Sequence, residues 1–538
     1  MKEVGVYLNI GNDNFKSAVQ SQIYVDKTEL LEYTNSVLDS SQRYICVSRP
    51  RRFGKSITAD MLSAYYGKDG NSKELFAPLK IAQSSTFDEH LNKYHVIQLD
   101  VNTFLHRWDK ETGETVTTRR AVQLLQMEVI AELRKAFPES VQENEVDLPA
   151  VLMRINADTE EKFIIIIDEW DAIFRESRLD IAAQDNYIEL LRGLFKDATS
   201  KRFVKLAYLT GILPIKKYGT QSALNNFKEF TMINPGKLAK YVGFTEMEVQ
   251  QLCEDYQMDF AETKRWYDGY SFSKMQHIYN PNSVVNAMLD EEFDTYWTRT
   301  ETYESLKNYI CMNFDGLKDT VVKLITGAHC RINPGRFQND MATFRSRDDV
   351  LTLLIHLGYL AYDKERKEVY IPNEEVRDEF YNAIEDTGWQ NVMDAITTSE
   401  KLLKATWERD EEKVAAGIDK VHQENVSILE YNDENALSCV ISLAYYNAIN
   451  EYTLIREMPS GKGYADIIFL PRRHSDKPAM VVELKYNKSA EGAIAQIKEK
   501  QYAKVLEEYR GNLLLVGINY DPKTKKHTCV MDEVTKTE

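Results

Sequence analysis

Residues 44–56, YICVSRPRRFGKS, join an apolar run and a basic loop to the tripeptide Gly54-Lys55-Ser56. A strand that turns through a tight loop into a helix N-terminus collects free backbone N–H groups and the positive end of the helix dipole, which together bind anions. In such a loop Lys55 can reach the β- and γ-phosphates of a nucleotide, and the Ser56 hydroxyl can hold Mg²⁺. The helical spacing of apolar residues in the following ITADMLSAYY favours a nucleotide site over a chance GKS in a surface turn.

The match to the phosphate-loop pattern G-x-x-x-x-G-K-[ST] is partial, because Arg49 occupies the first glycine position. Arg49, Arg51 and Arg52 are expected to make secondary contacts with phosphate or with a neighbouring subunit. The nucleotide contacts expected from this stretch are Arg49, Pro50, Arg51, Arg52, Phe53, Gly54, Lys55, Ser56 and Ile57.

Five apolar residues, 163–167, are followed directly by Asp168 and Glu169. Such a run predicts a buried parallel strand, and open α/β sheets bind ligands at the carboxyl ends of their strands. Asp168 is therefore expected to hold Mg²⁺ beside Ser56, directly or through water, and Glu169 to orient or deprotonate the attacking water. A strand with a solvated acidic turn is the alternative, but the phosphate loop upstream favours the functional interpretation.

The segments 94–101 and 204–212 predict two more strands of this sheet, and residues 117–137 predict an amphipathic helix. Thr210 lies near the end of the second of these strands. A polar side chain there, between the phosphate-loop strand and the acidic strand, could contact the γ-phosphate. A threonine that caps a turn or helix is an equally good interpretation.

Asp466, Glu483 and Lys485 form a second candidate site. Asp466 lies at the start of a predicted strand at 465–471, and the next strand, 479–485, ends with Glu483 and Lys485 on one face because strands have a period of two. The two carboxylates suit Mg²⁺, and the lysine can position or activate water and offset phosphate charge. The pattern is loose by itself, since strand ends are often charged and a buried Glu–Lys pair can be structural.

An acidic residue on the helix predicted at 433–449 would complete this site, and we choose Glu434, with Asp433 as an alternative. From this helix onward the predicted order is α-β-β-β-α-β, with the second helix at 490–509 and the last strand at 512–520. The basic residues near the site, which leave substrate binding open, are Arg456, Lys462, Arg472, Arg473 and Lys488.

The composition predicts a cytoplasmic protein of several domains. With 538 residues the chain is too long for one core, and its net charge of −17 argues against a broad electrostatic hold on nucleic acid, so any such contact needs a local basic groove. No apolar run approaches the ~20 residues that span a bilayer. The start of the chain lacks a signal-peptide pattern, and the six cysteines form no CxxC pair, which indicates reduced thiols.

Taken together, these motifs resemble the AAA-ATPase-like family of bacterial proteins, in which an arginine at the first glycine position of the loop is usual. The matching segments are YVDKT (24–28), RPRRFGKS (49–56), IIIIDEWDA (164–172), LTGILPI (209–215), LNNFKEFT (224–231), GFTEMEV (243–249), WYDGYSF (266–272) and YNPNSVVN (279–286). The resemblance implies an α/β protein with an N-terminal P-loop ATPase domain of the AAA or signal-transduction (STAND) type. It also implies a C-terminal PD-(D/E)XK nuclease-superfamily domain of restriction-endonuclease-like fold, whose pattern is GYAD…VELK here.

The resemblance also implies roles for Gln496 and Tyr502, which match the glutamine and tyrosine of one branch of these nucleases and could contact substrate or orient the lysine. We divide the chain into an ATPase domain (1–279), a helical lid with a winged-helix-like end (280–395), and a helical connector with the nuclease-like domain (396–538). The winged element lacks a basic helix face, so packing is favoured over DNA reading. The WYDGY motif is interpreted as aromatic core.

Three functions are compatible with these residues. The first is an ATP-regulated nuclease, dependent on Mg²⁺ or Mn²⁺, that acts on nucleic acid in defence or DNA processing. The second is an ATP-dependent switch or scaffold whose nuclease-like domain binds without cleaving. The third is an assembly module, as a homo-oligomer or with a protein partner, in which nucleotide is structural. The retention of Asp466, Glu483 and Lys485 favours the first function, and the net charge is the main point against it.

Overall fold

The computed structural model describes most of the chain: residues 5–68, 70–109, 113–178, 180–218, 221–272, 275–297, 303–312, 314–339, 341, 343–385, 389–425, 440–446, 448–460, 463–471, 477–499 and 512–534. The residues for which it describes the backbone alone are 109, 114, 218, 221, 275–276, 303–305, 390–397, 449–450, 456–460, 463–466 and 499.

The chain forms two compact units, Met1–Thr302 with Arg331–Glu379, and Tyr303–Cys330 with Phe380–Glu538. The three-part division drawn from the sequence, with boundaries after residues 279 and 395, does not coincide with these units. Helix Pro281–Asp290 belongs to the first unit because its Val284 shares a buried apolar cluster with Val249. A boundary placed by motif order could not take that packing into account.

Helices make up much of both units. Their bounds are Asp13–Val19, Leu30–Val37, Lys55–Tyr66, Lys73–Phe76, Phe87–His90, Val101–Leu105, Thr118–Ala136, Leu148–Thr159, Ala172–Glu176, Ile181–Phe195, Ser200–Phe203, Glu246–Tyr256, Phe260–Tyr267, Pro281–Asp290, Tyr303–Ile310, Leu317–Ile325, Arg347–Leu357, Glu374–Glu385, Gln390–Trp407, Glu411–Asn425, Ala448–Glu451 and Ala490–Glu499. Of the helix predicted at 433–449, the structure describes residues 440–446 and 448–449; residues 440–444 are helical and 445–446 form a turn.

Five parallel strands form the central sheet of the first unit. They are the phosphate-loop strand Tyr44–Ser48, the edge strand His95–Asp100, the acidic strand Phe163–Asp168, the middle strand Val204–Gly211 and the outer strand Lys228–Phe230. Their order across the sheet is edge, acidic, middle, phosphate-loop, outer. The isoleucines of the acidic strand are fully buried, as a parallel sheet covered on both faces requires. The predicted strands and the position of the middle strand are confirmed, and parallel pairing brings the carboxyl ends of these strands to one edge.

Short strands elsewhere have the bounds Trp108–Asp109, Glu114–Thr115, Lys217–Tyr218, Gln221–Ser222, Phe244–Thr245, Tyr270–Phe272, Met275–Tyr279 and Cys330–Arg331. A helix–hairpin–helix segment contains helix Arg347–Leu357, strands Ala361–Asp363 and Glu368–Tyr370, and a helix that begins at Glu374. This order of elements agrees with the expected winged-helix-like end.

A buried carboxylate, Glu375, joins this segment to other parts of the first unit. It accepts hydrogen bonds from the Ser283 hydroxyl (2.8 Å) and from the backbone N–H groups of Tyr296 and Trp297 (both 2.8 Å). Burial raises the pKa of Glu375 to about 7. Three donors on one buried carboxylate hold together segments that are nearly a hundred residues apart in sequence.

The second unit contains a five-stranded mixed sheet in which the strands follow chain order. They are Tyr452–Ser460, Gly463–Pro471, Ala479–Tyr486, Leu513–Asp521 and Lys526–Val534. The third and fourth strands are parallel, and the other neighbours are antiparallel. The parallel pair requires a crossover connection, which contains helix Ala490–Glu499. The predicted β-β-β-α-β order is confirmed, and the fifth strand is an addition that the sequence analysis did not anticipate.

Candidate functional site

The loop after the phosphate-loop strand has a shape suited to anions. Arg52 (φ 68°) and Gly54 (φ 83°) both have left-handed backbone conformations, and helix Lys55–Tyr66 begins directly afterwards. Left-handed residues in a turn direct successive N–H groups toward one side and form a concave anion site. Apart from the adjoining backbone, no atom of the described residues lies within 4 Å of the position that a Cβ on Gly54 would take, so space remains beside the loop.

A cavity of about 960 Å³ adjoins this loop in the first unit. Its charged wall consists of Arg51, Arg52, Lys55, Ser56, Glu169, Arg175 and Glu176, and the apolar wall includes Phe15, Ile23, Val25, Val285 and Leu289. Its volume is within the range of roughly 300–1,000 Å³ found for small-molecule sites. A cavity with one charged end and one apolar wall suits a ligand that joins phosphates to a flat ring.

Lys55 lies at the charged end and is buried. Its Nζ donates a hydrogen bond to the carbonyl oxygen of Pro50 at 3.0 Å and lies 3.9 Å from Glu169 Oε1. Burial lowers the pKa of Lys55, while the carboxylates of Glu169 and Asp168 act in the opposite direction. The lysine is thus an oriented cation beside the anion-binding loop, where it can bind a phosphate.

Asp168, the last residue of the acidic strand, is brought next to Ser56 as expected. The Ser56 side chain hydrogen-bonds to its carboxylate, and Asp168 Oδ1 accepts the N–H of Glu169 at 2.9 Å. Burial raises the pKa of Asp168 to about 6. Because burial disfavours the ionised form of this carboxylate, a cation bound beside it would stabilise that form.

The pair Ser56 and Asp168 fits a divalent ion. A hydroxyl and a carboxylate are oxygen ligands of the kind that Mg²⁺ prefers. The described residues contain no cluster of three or more His, Cys, Asp or Glu side chains suited to a metal. Mg²⁺ at phosphate sites usually keeps waters and binds substrate phosphates beside one or two protein groups, so two protein oxygens suffice.

Glu169 has partners that the sequence analysis missed. Its backbone is left-handed (φ 47°), and its carboxylate accepts a hydrogen bond from Arg175 Nη2. Arg175 Nε lies 3.3 Å from the buried carboxylate of Asp171. The i,i+4 spacing of Asp171 and Arg175, directly after the acidic strand, is the signal that could have identified this group.

Thr210 is in the middle strand, between the acidic and phosphate-loop strands, as expected. Its hydroxyl is buried and has no hydrogen-bond partner in the part of the protein that the structure describes. Buried polar groups are normally paired, so an unpaired hydroxyl at the binding edge is a feature that needs a ligand or water to explain it. A contact of Thr210 with the γ-phosphate stays a prediction.

The expected loop contacts separate into two groups. Arg51, Arg52, Phe53, Gly54 and Ile57 line the cavity with Lys55 and Ser56, whereas Arg49 and Pro50 do not. Arg49 is fully buried, and its Nη1 donates to the carbonyl oxygens of Ser48 (2.8 Å) and Phe230 (3.0 Å). Burial lowers the pKa of Arg49 to about 10. The position of Arg49 supports a role in shaping the loop rather than contact with phosphate or another subunit.

Aromatic residues of WYDGYSF pack directly on the phosphate loop. The ring of Tyr270 contacts that of Phe53 (5.4 Å between centroids, edge to face), and Arg49 lies 5.1 Å from the ring of Phe272. The Tyr270 hydroxyl donates to the carbonyl oxygen of Gly358 at 2.6 Å. Interpreting WYDGY as aromatic core is consistent with these contacts, which show further that this core supports the phosphate loop.

In the second unit, Glu483, Lys485 and Gln496 are brought together. Glu483 and Lys485 are buried, with Lys485 Nζ 3.1 Å from Glu483 Oε1, and the Gln496 side chain donates to the same oxygen. The strands pair Ile467 with Val482, so the next step of that register places position 466 opposite position 483. This arrangement of a carboxylate and an amine at the end of one strand is the one expected from the sequence.

Other predicted members of this site lie outside the described residues. They are Asp433, Glu434 and Tyr502, the side chain of Asp466, and the basic side chains Arg456, Lys462, Arg472 and Arg473. Lys488 is exposed, two residues beyond the end of the third strand, and its N–H donates to Asn519 Oδ1 at 2.9 Å. Their roles, including metal binding by Asp466 and Glu483, stay predictions.

Among the described residues, no helix combines the length and the apolar composition that crossing a bilayer requires.

Two regions of the chain match the models of known families. Residues 9–220 match the family model described as "Predicted AAA-ATPase", and residues 432–529 match that of the PD-(D/E)XK nuclease superfamily. The chain carries an AAA-ATPase-like region and, after it, a PD-(D/E)XK nuclease-superfamily region. The resemblance and the α/β fold class expected from the motifs are thereby confirmed. The first match contains the phosphate loop, the acidic strand and the middle strand, and the second contains Glu483, Lys485 and Gln496.

A relative from Azotobacter chroococcum mcd 1, named "Uncharacterized protein in vnfD 5'region", is 25% identical over 284 residues. The alignment covers 52% of this chain and 51% of that protein, so the chain spans about half the length of the relative. The Aeropyrum pernix ORC2 protein, solved as ADPNP–ADP complexes, aligns at 10% identity and a TM-score of 0.28 over 68% of this chain and 96% of its own. The Aeropyrum pernix ORC1 protein in complex with DNA aligns at 13% identity and a TM-score of 0.21, over 83% of this chain and 88% of its own. Structural scores this low identify no shared function.

Proposed function

We propose that this AAA-ATPase-like protein binds and hydrolyses ATP in its first unit and that its second unit is a metal-dependent nuclease acting on nucleic acid. The observation that carries the first part is the single cavity in which Lys55, Ser56 and Glu169 meet beside an anion-binding loop. The second part rests on the cluster of Glu483, Lys485 and Gln496. A role in defence against foreign DNA or in DNA processing extends the same proposal.

In the first unit we assign a role to each residue of the proposed ATP site. Lys55 and the loop N–H groups hold the phosphates, and Ser56 and Asp168 would hold Mg²⁺, which supplies charge neutralisation at the phosphates. Glu169 orients water and takes its proton as the water oxygen bonds to the terminal phosphorus. The bond from phosphorus to the bridging oxygen breaks, and the products are ADP and inorganic phosphate.

In the second unit Glu483, with Asp466 opposite, would hold Mg²⁺ or Mn²⁺, a Lewis acid for a phosphodiester. Lys485 positions water and offsets the charge of the phosphate. Gln496, which donates to Glu483, orients that carboxylate. Because Glu483 and Lys485 are buried, the electrostatic interaction between their side chains is stronger than it would be in bulk water.

The test uses labelled single- and double-stranded DNA and RNA, with Mg²⁺ or Mn²⁺ and with or without ATP. We expect metal-dependent cleavage that Lys485→Ala removes and that Lys55→Ala alters, because Lys55→Ala abolishes ATP binding. Cleavage that survives both Asp466→Ala and Lys485→Ala would place the activity elsewhere. ATP binding without any cleavage would favour the alternative of a switch or scaffold whose nuclease-like unit binds without cutting.

The ATP-binding part has its own control. Lys16 is on helix Asp13–Val19 and is exposed, so Lys16→Ala matches the charge change of Lys55→Ala outside the cavity wall. We expect Lys16→Ala to bind ATP as the unaltered chain does. Unchanged nucleotide affinity in Lys55→Ala would contradict the assignment of the loop.

A further inference from the structure

The carboxylate assigned to water activation is engaged by protein cations. One oxygen of Glu169 accepts a hydrogen bond from Arg175, and the other lies 3.9 Å from Lys55 Nζ. A carboxylate oxygen that accepts a charge-assisted hydrogen bond from a guanidinium group is held in one orientation. Glu169 therefore cannot turn this oxygen toward a water molecule while Arg175 holds it.

The side chain of Arg175 is held so that one end of its guanidinium group is at the cavity. Its side chain is buried and lies in the cavity wall, and its Nε faces Asp171 at 3.3 Å. Asp171 is itself fixed, since its Oδ2 accepts the N–H groups of Ile212 (3.1 Å) and Leu213 (2.7 Å), which follow the middle strand directly. The Nε side is thus anchored, and the Nη2 side faces Glu169.

Other cations lie close to Arg175. Burial, followed by the positive charge of Arg175, lowers the pKa of Arg51, which indicates that the two guanidinium groups are near each other. Arg51, Lys55 and Arg175 all line the cavity. The carboxylates of Glu169 and Glu176 both lie against Arg175, whose Nη1 is 3.8 Å from Glu176 Oε1. An oxyanion with several charges that binds beside these cations can take the place of Glu169 on Arg175.

We propose that Arg175 is a ligand of the terminal phosphate of the nucleotide, supplied by the same chain, and that the phosphate and Glu169 compete for it. This inference rests on the proposed ATP binding. When Arg175 binds the phosphate, it releases Glu169, and the carboxylate can turn toward the attacking water. A diphosphate lacks the third phosphate and leaves the Arg175–Glu169 pair intact. One arginine thereby links recognition of the third phosphate to the positioning of the attacking water.

The experiment measures the affinities of the full-length chain for Mg²⁺–ADP and for a Mg²⁺-bound, non-hydrolysable ATP analogue. We expect Arg175→Gln to lower the affinity for the analogue by about 10- to 100-fold, the value of a charge-assisted hydrogen bond, and to change ADP affinity little. Arg175→Lys keeps the charge without the planar fork and should recover part of the loss. Arg192→Gln, at an exposed pair with Glu189, is the matched control and should change neither affinity.

Glu169→Gln gives an independent and opposite expectation. Because this substitution weakens the Arg175–Glu169 pair, we expect it to raise the affinity for the ATP analogue relative to that for ADP. If the pair were purely structural, Glu169→Gln and Arg175→Gln would change the two affinities in the same direction. Equal losses for both nucleotides in Arg175→Gln would overturn the inference and leave the nucleotide site in place. If Arg175→Gln fails to fold, equal losses in Arg175→Lys have the same meaning. Failure of the unaltered chain to bind either nucleotide would overturn the proposed function together with this inference.

Discussion

Replacing Asp168 by asparagine should stabilise the first unit and abolish its function. Burial raises the pKa of this carboxyl to about 6, against an ordinary value of ~3.9. The folded protein therefore binds a proton more tightly than the unfolded chain does. Ionisation of Asp168 therefore does not affect the free energy of unfolding at low pH, where both states are protonated, and lowers it as the pH rises from about 4 to about 6.

The magnitude follows from the shift. A difference of about two pKa units corresponds to about 3 kcal/mol of stability that the ionised carboxyl costs above pH 6. Because Asp168 is almost completely buried, solvent screening does not reduce this value much. Asparagine carries no charge and keeps an oxygen that can accept the N–H of Glu169. We expect the variant to be more stable by up to about 3 kcal/mol at pH 7.5, with the difference falling to about half at pH 5 and disappearing below about pH 4.

The assay is the thermal midpoint of the full chain without metal or nucleotide, at pH 7.5 and pH 5. The first unit comprises residues 1–302 and 331–379, about 350 residues, so a change of 3 kcal/mol moves its midpoint by roughly 4 °C. Asp158→Asn, at an exposed helix position, is the control and should change neither midpoint. Adding Mg²⁺ and ATP should raise the midpoint of the unaltered protein and leave that of Asp168→Asn unchanged.

Two results would refute this reasoning. Asp168→Asn with no gain in stability at pH 7.5 would mean that the carboxyl is not destabilised by burial. A gain of equal size at pH 5 would mean that the effect arises from packing rather than from charge. Retention of the metal-dependent increase by the variant would remove Asp168 from the proposed metal site.

Three further substitutions test the packing around the sites by chemical denaturation. Gly358→Ala, at φ +93°, puts a Cβ 2.8 Å from Pro50 and should cost about 1–3 kcal/mol while weakening nucleotide binding; full stability would contradict the close approach. Gln496→Ala removes a donor to buried Glu483 and should lower the stability of the second unit by about 1–2 kcal/mol, whereas Gln496→Glu, which adds a carboxylate beside that of Glu483, should cost more. Glu375→Ala leaves three donors without their acceptor, at about 1–3 kcal/mol for each buried one, and a loss below 1 kcal/mol would show that water replaces the carboxylate.

The loop shows where sequence reasoning about single residues failed. An arginine in a phosphate loop was expected to face phosphate or a neighbouring subunit, yet Arg49 is buried against main-chain carbonyl oxygens and the ring of Phe272. Two of these contacts come from the outer strand and from the WYDGYSF segment, about 180 and 220 residues away in sequence. A residue type indicates which partners a side chain can use, but not which of them the fold supplies.

The sequence by itself determined the elements whose physical signal is local. The strand, loop and helix around Lys55, the apolar run before Asp168, and the alternating Glu483 and Lys485 depend on patterns a few residues long, because hydrophobic periodicity and chain direction act over that range. These patterns were enough to predict the α/β class, the parallel sheet and the order of the C-terminal elements. The fifth C-terminal strand was missed because KHTCVMDEV has mixed polarity and depends on pairing with Leu513–Asp521.

Only the tertiary structure decided which distant groups meet. Glu169 faces Arg175, Tyr270 packs on Phe53, and Gly358 approaches Pro50 because parallel strands and packed helices bring their ends to one place. These contacts depend on backbone geometry that no local pattern encodes. The sequence therefore determined which residues could carry the chemistry. The fold decided which of them line the cavity, which support the loop, and which form ion pairs with one another.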